Sequence, residues 1–191
     1  MNDATGKAAV PATPARRALL LTLLIFLAPV LIGGGLYVFG WRPATTNNHG
    51  ELIVPPRPLA IADLGETPRE RIAGKWLLLI AGDAPCDSAC VALAEQSRAI
   101  QVSLNRDMGR LARIVLTAAP TPALRELQQR QPDLLVAPLP ASWQPALQPG
   151  SRHRVFVLDP AGNLMMQYAP EAEAKGMRAD LERLLKHSWI G

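Results

Sequence analysis

Charge is scarce in this chain: only 19% of its 191 residues are Asp, Glu, Lys or Arg, against 49% hydrophobic residues. That is more apolar than a small soluble protein needs, so part of the chain meets lipid. Aromatics are also few, at 5%, and glycine numbers 14, which excludes collagen-like and low-complexity classes. Two cysteines rule out a disulfide-rich scaffold and a four-cysteine zinc site, leaving one disulfide, one dithiol or one metal pair. No block of basic residues accompanies the net charge of +4, so nucleic-acid binding has no support. No acid/base dyad, phosphate loop or zinc motif offers an unrelated enzyme. Proline is in excess, with 18 residues, and that consigns much of the chain to loops and linkers.

The longest apolar run extends from Ala18 to Trp41, 24 residues without a charge. About 20 apolar residues span a bilayer, and lipid-embedded helices tolerate interruptions such as Pro29 and Gly33-Gly34-Gly35. The run exceeds the ~7–15 residues of a signal-peptide core, which favours an uncleaved anchor. Lys7, Arg16 and Arg17 precede it and only Arg42 follows closely, so residues 1–17 are expected in the cytoplasm and the remainder outside. Tyr37 and Trp41 stand at the outward end, where amphipathic rings favour the headgroup region. In a bacterium this is the inner membrane, with the following domain in the periplasm, an oxidising compartment.

Residues 42–68 hold Pro43, Pro55, Pro56, Pro58 and Pro68 and read as a stiff, extended spacer with room for one short strand. The domain is expected over 69–191. Trp76 to Ile80 is a continuous apolar run bounded by Gly74 and Gly82, the pattern of a strand buried on both faces. Cys86, Cys90, Leu93, Ser97, Ile100 and Leu104 then fall on one helical face. Leu111 to Leu116 reads as a second buried strand, Pro122 to Gln131 as a short helix, and Leu134 to Pro149, with four prolines, as a loop. Val155–Leu158 and Leu164–Tyr168, joined by the turn Asp159-Pro160-Ala161-Gly162-Asn163, form a hairpin. Met177, Leu181, Leu184 and Leu185 mark a final amphipathic helix. The order β, α, β, α, hairpin, α predicts an α/β, thioredoxin-like domain: a central mixed sheet flanked by helices, behind a single transmembrane helix.

Cys86 and Cys90 follow the first buried strand, at the start of its helix. A thiol at a helix N-terminus meets unpaired N–H groups and the positive end of the dipole, which favours the thiolate. Spacing of i, i+4 on a helix puts both sulfurs on one face, able to close a disulfide, act as a redox pair or hold a soft ion such as Cu(I). Asp83 and Asp87 oppose thiolate formation if they lie close. The alternative is a pair of buried small hydrophobes or a static disulfide.

Gly74-Lys75-Trp76-Leu77-Leu78-Leu79-Ile80, then Cys86-x-x-x-Cys90, then Val155 to Asn163 together resemble the SCO/SenC family, membrane-anchored thioredoxin-fold proteins of cytochrome c oxidase assembly. The resemblance covers about residues 60–185 and extends to the anchor. It implies that Cys86 and Cys90 bind copper with a distant histidine, the copper being delivered to an oxidase subunit. A thiol-disulfide reductase role, using Cys86 and Cys90 as a redox pair, is the family's other proposed activity, and a non-catalytic scaffold in oxidase assembly is a third reading. The implied client is an oxidase subunit or another periplasmic protein.

Val91 stands where the family usually has a proline after the second cysteine, and Thr117-Ala118-Ala119-Pro120-Thr121-Pro122 where it has an acidic segment. The family histidine maps near Ser151, and His153 stands two residues later; a step of two keeps a side chain on the same side of a strand. His153 is therefore the candidate third ligand, its alternative being part of an exposed basic strand end between Arg152 and Arg154. His49 and His187 have no case as ligands. Met165 and Met166 alternate across a strand, so one of them packs in the core. Trp143 and Trp189 have no assignable role, and Arg125, Glu126, Arg130, Arg178, Glu182 and Arg183 read as solvated helix faces.

Overall fold

The computed structural model describes residues 13–40 and 48–188. It divides into two compact units, residues 1–46 and 47–191. The expectations for residues 1–12, Trp41 and Trp189 lie outside the described residues.

Among the described residues the first unit holds one helix, α1 (Thr13–Val38), with Pro29 inside it. Its segment Arg16–Val38 has a mean hydropathy of 2.5 and none of it is buried, so it is long and apolar enough to cross a membrane.

The second unit is a six-stranded sheet: β1 (Glu51–Pro58), β2 (Trp76–Ala81), β3 (Leu111–Thr117), β4 (Leu134–Pro138), β5 (Arg154–Leu158) and β6 (Asn163–Tyr168), in the order β1-β6-β5-β2-β3-β4. β2, β3 and β4 run parallel, whereas β5 and β6 add an antiparallel hairpin and β1 closes that edge. The helices are α2 (Glu66–Ile72), α3 (Ser88–Ser103), α4 (Pro122–Arg130), the single turn α5 (Gln144–Leu147) and α6 (Ala174–His187). This is the mixed sheet flanked by helices that the chain's periodicities predict.

Every residue of β2 and β3 is buried, because both faces of the sheet are covered. Trp76, Leu78 and Ile80 point into one core with the helical residues Ala94, Ile100, Leu124, Met177 and Leu181. Leu77, Leu79 and Ala81 point into the other, with Ile72, Trp143, Leu147 and Phe156. Alternation with period two thus divides one apolar run between two layers.

The stretch 134–149 corrects the expectation of a loop. Leu134 and Leu135 are buried in β4, which pairs with β3 from Arg113↔Leu134 to Thr117↔Pro138. A proline is accommodated at the end of an edge strand, where it need not donate to a further ladder. Trp143 is buried beneath this segment and donates from Nε1 to the Ala60 carbonyl at 3.2 Å. Within the expected spacer, residues 51–58 form a strand of the sheet itself, so the ordered unit reaches well before residue 69. Pro55, Pro56 and Pro58 fit there because β1 is also an edge. The β5–β6 turn is fixed by Asp159, whose Oδ1 accepts from the Ala161 and Asn163 N–H groups at 2.9 and 2.8 Å.

Candidate functional site

The site lies where β2 ends and β5 begins, at the N-terminus of α3. The side chain of Asp87 caps α3 by accepting the Cys90 N–H at 2.9 Å. Cys90 is therefore in the helix's first turn, and Cys86 precedes the cap. The expectation that both cysteines ride one helix face is corrected accordingly: a short polar cap at position 87 starts the helix later than the apolar spacing suggests. The two cysteines are joined in a disulfide, with Cα atoms 5.2 Å apart, and both are buried.

Cys86 is held by the β3–α4 connection. Its N–H donates to the Ala119 carbonyl at 3.4 Å, and its carbonyl accepts from the Thr121 hydroxyl at 2.8 Å. Thr117 donates its hydroxyl to the Ala84 carbonyl at 2.8 Å, fastening the loop that leads into the cysteines.

His153 reaches the same place from β5. β2 and β5 pair antiparallel with Ala81 opposite Arg154, so the next pair in register sets Gly82 opposite His153. His153 is only 5% exposed, not part of an exposed basic strand end, while Arg152 on one side reaches out to Glu171 at 3.3 Å. The sulfurs of Cys86 and Cys90 and a ring nitrogen of His153 lie within 4.8 Å of one another. Among the described residues, His153 Nε2 is the one buried side-chain nitrogen or oxygen without a hydrogen-bond partner. Burial holds the imidazole below the usual histidine range, the Asp87 and Asp83 carboxylates pulling the other way. A neutral imidazole keeps a lone pair for a metal, and two thiolates with one imidazole suit a soft ion. The donor set therefore fits Cu(I) once the disulfide is reduced. A pocket of about 310 Å³ adjoins the site, lined in part by Cys90 and His153.

His49 and His187 lie away from this cluster. Met166 is buried in the core and Met165 only half-buried, as the alternation predicts. The six charged residues read as solvated helix faces are all exposed.

Two buried polar constellations go beyond the sequence reading. Asp180, in α6, accepts the backbone N–H groups of His49 and Gly50, each at 2.9 Å, and the Tyr168 hydroxyl at 3.1 Å. Its position inside the apolar stripe between Met177 and Leu181 is the signal for it. Arg113, in β3, has a fully buried side chain that donates to Asp133 at 2.7 Å, Gln101 at 2.8 Å and Gln131 at 3.0 Å. A charge in the middle of a run otherwise made for a doubly buried strand is its signal.

No curated protein matches the chain by sequence. Among solved structures, apo Sco1 from Thermus thermophilus is similar at 18% identity and a TM-score of 0.54, over 74% of this chain and 99% of that one. Copper-bound ScoI from Bradyrhizobium japonicum has 17% identity and a TM-score of 0.43, over 60% and 87%. Yeast Sco1 has 16% identity and a TM-score of 0.48, over 62% and 84%. The similarity to the Thermus protein establishes a shared fold, the structural counterpart of the resemblance read in the sequence. Residues 76–188, which carry both cysteines, His153 and five of the six strands, match the family described as transmembrane-like, thioredoxin-like, C-terminal domain, and the chain belongs to that family.

Proposed function

We propose that this chain is a membrane-anchored, SCO-like copper-handling protein. The reduced Cys86 and Cys90 thiolates and the His153 imidazole take up Cu(I) as cargo for a cytochrome c oxidase subunit. The observation that carries the reading is the buried, unpartnered Nε2 of His153 in a cluster with both sulfurs. A buried imidazole nitrogen without a partner is costly, and a metal ion that binds it offsets that cost. The disulfide must first accept two electrons and two protons from an external dithiol, because only the separated thiolates ligate. With Lys7, Arg16 and Arg17 before the uncharged run that starts at Ala18, the domain faces the periplasm of a bacterial inner membrane.

The test is Cu(I) titration of the reduced full-length chain in detergent against a competing chelator. One ion per chain is expected, lost in Cys86→Ser and in Cys90→Ser and weakened in His153→Ala. Binding no tighter than that of Cys86→Ser would overturn the reading.

A second reading, thiol-disulfide exchange on a periplasmic client, is favoured by the closed Cys86–Cys90 bond. His153→Ala separates the two, since exchange chemistry persists when the imidazole is removed and metal affinity does not.

A further inference from the structure

His49 and Gly50 are strapped to α6 by main chain, both N–H groups donating to the buried Asp180 carboxylate at 2.9 Å. That hold does not need the His49 side chain, yet the ring is fixed as well. Nδ1 lies 3.2 Å from Asp180 Oδ1, and the ring rests on the α6 backbone at Gly176, where an added Cβ would meet His49 Cβ and Cγ at 2.8 Å. A carboxylate only accepts hydrogen bonds, so Nδ1 carries the hydrogen and the neutral ring keeps its lone pair on Nε2. Among the described residues Nε2 has no hydrogen-bond partner, and the side chain is 56% exposed. The imidazole borders an open cavity of about 580 Å³ whose walls include Glu173 and Lys175. Glu173 is the N-cap of α6, but its carboxylate makes no capping bond and is left for another partner.

We propose that His49 and Glu173 form a second metal site, which takes a divalent transition ion such as Cu(II) and stands apart from the cluster of Cys86, Cys90 and His153. A ligating histidine is oriented by giving its other ring N–H to a carboxylate, which sets the tautomer and raises the basicity of the free nitrogen. His49 has that support from Asp180. One imidazole and one carboxylate, with positions open to water, suit borderline divalent ions, of which Cu(II) is bound most tightly. Lys175 and the start of α6 oppose a cation here, and the charge of Glu173 offsets them. Cu(I) favours thiolates, so the two sites sort copper by oxidation state. The connection between β6 and α6 lies between them: Pro170 walls the pocket beside His153, and Glu173 the cavity beside His49. The residues around His49 in the sequence give no sign of this role, because Asp180 lies 131 positions away.

The probe is Cu(II) chloride added to the oxidised full-length chain in detergent, with glycine as competitor; the closed disulfide withholds both sulfurs. One Cu(II) per chain is expected, its EPR spectrum showing coupling to one imidazole nitrogen. His49→Gln, which keeps the backbone strap, should abolish binding. Gly176→Ala, which unseats the ring, should weaken it by about 10- to 100-fold, as when a ligating histidine loses its orienting support. Glu173→Gln, at an exposed position that does not bear on folding, should also lower the affinity. His187→Gln should bind as the wild type does. An ion retained in His49→Gln, one lost in His187→Gln, or an unchanged affinity in Glu173→Gln overturns the proposal. The readout uses neither a thiolate nor Cu(I), so it fails independently of the Cu(I) titration.

Discussion

The ring of His153 lies directly against the backbone of Gly82: a Cβ built on Gly82 would meet Cγ and Nδ1 of the imidazole at 2.7 Å. The contact joins the end of β2 to the start of β5 and holds the ring where it meets the sulfurs. Glycine here is a matter of space, and a methyl group has to displace the ring.

Gly82→Ala is accordingly expected to lower Cu(I) affinity by about 10- to 100-fold, the range seen when a ligand loses its orienting support. Competition titration measures the loss. A one-ion complex of unchanged affinity would show that the ring's seat against Gly82 does not matter for binding.

Asp180→Ala should cost about 3 kcal/mol in denaturant unfolding, because it strands two backbone N–H groups and the Tyr168 hydroxyl around a fully buried position. Amide exchange at His49 and Gly50 should accelerate in step. Unchanged protection there would mean that the carboxylate does not hold this segment.

Burial, then the charge of Asp180 and the hydrogen bond to it, hold the Tyr168 phenol far above its ordinary value of 10.0. The folded protein therefore keeps a proton that the unfolded chain releases in alkali. The stabilisation is complete below about pH 10 and lost as pH rises beyond it. Tyr168→Phe should flatten the alkaline limb of a stability–pH curve, and a limb of the same slope would assign it elsewhere.

Partial burial pushes the Asp133 carboxyl up, but the hydrogen bond from Arg113 and its charge outweigh this and hold it below the ordinary 3.8. The unfolded chain takes up the proton first, so this contribution is present above about pH 4 and lost as pH falls. Asp133→Asn should reduce the acid loss of stability. Arg113→Ala should cost about 1–3 kcal/mol at neutral pH, because Gln101 and Gln131 lose a buried donor while the exposed Asp133 is resolvated. A small effect in urea unfolding would show the cavity to be hydrated or collapsed.

The central strands, the cysteine helix and the closing hairpin were legible because their signals are local. A run such as Leu77–Ile80, the helical spacing of Leu93, Ser97, Ile100 and Leu104 and a turn at Asp159–Asn163 each act within a few residues. β4 was hidden, and β1 was legible only as room for one short strand in a spacer, because prolines argue against strands everywhere except at an edge, and which strand is an edge is known only once the sheet is assembled. The residues of the site were legible by type, but their geometry was not. Arg152 and Arg154 suggested that His153 faces solvent, and it is the register across to Gly82, about 70 positions earlier in the sequence, that buries it. Arg113 and Asp180 depend likewise on partners that sequence distance conceals.

The prolines of β1 bear on recruitment as well as on folding. Three of the eight residues on that margin, Pro55, Pro56 and Pro58, have no N–H to offer, and the opposite margin ends at Pro138. An extended peptide that sought to lengthen the sheet along β1 would find three of its positions without a donor.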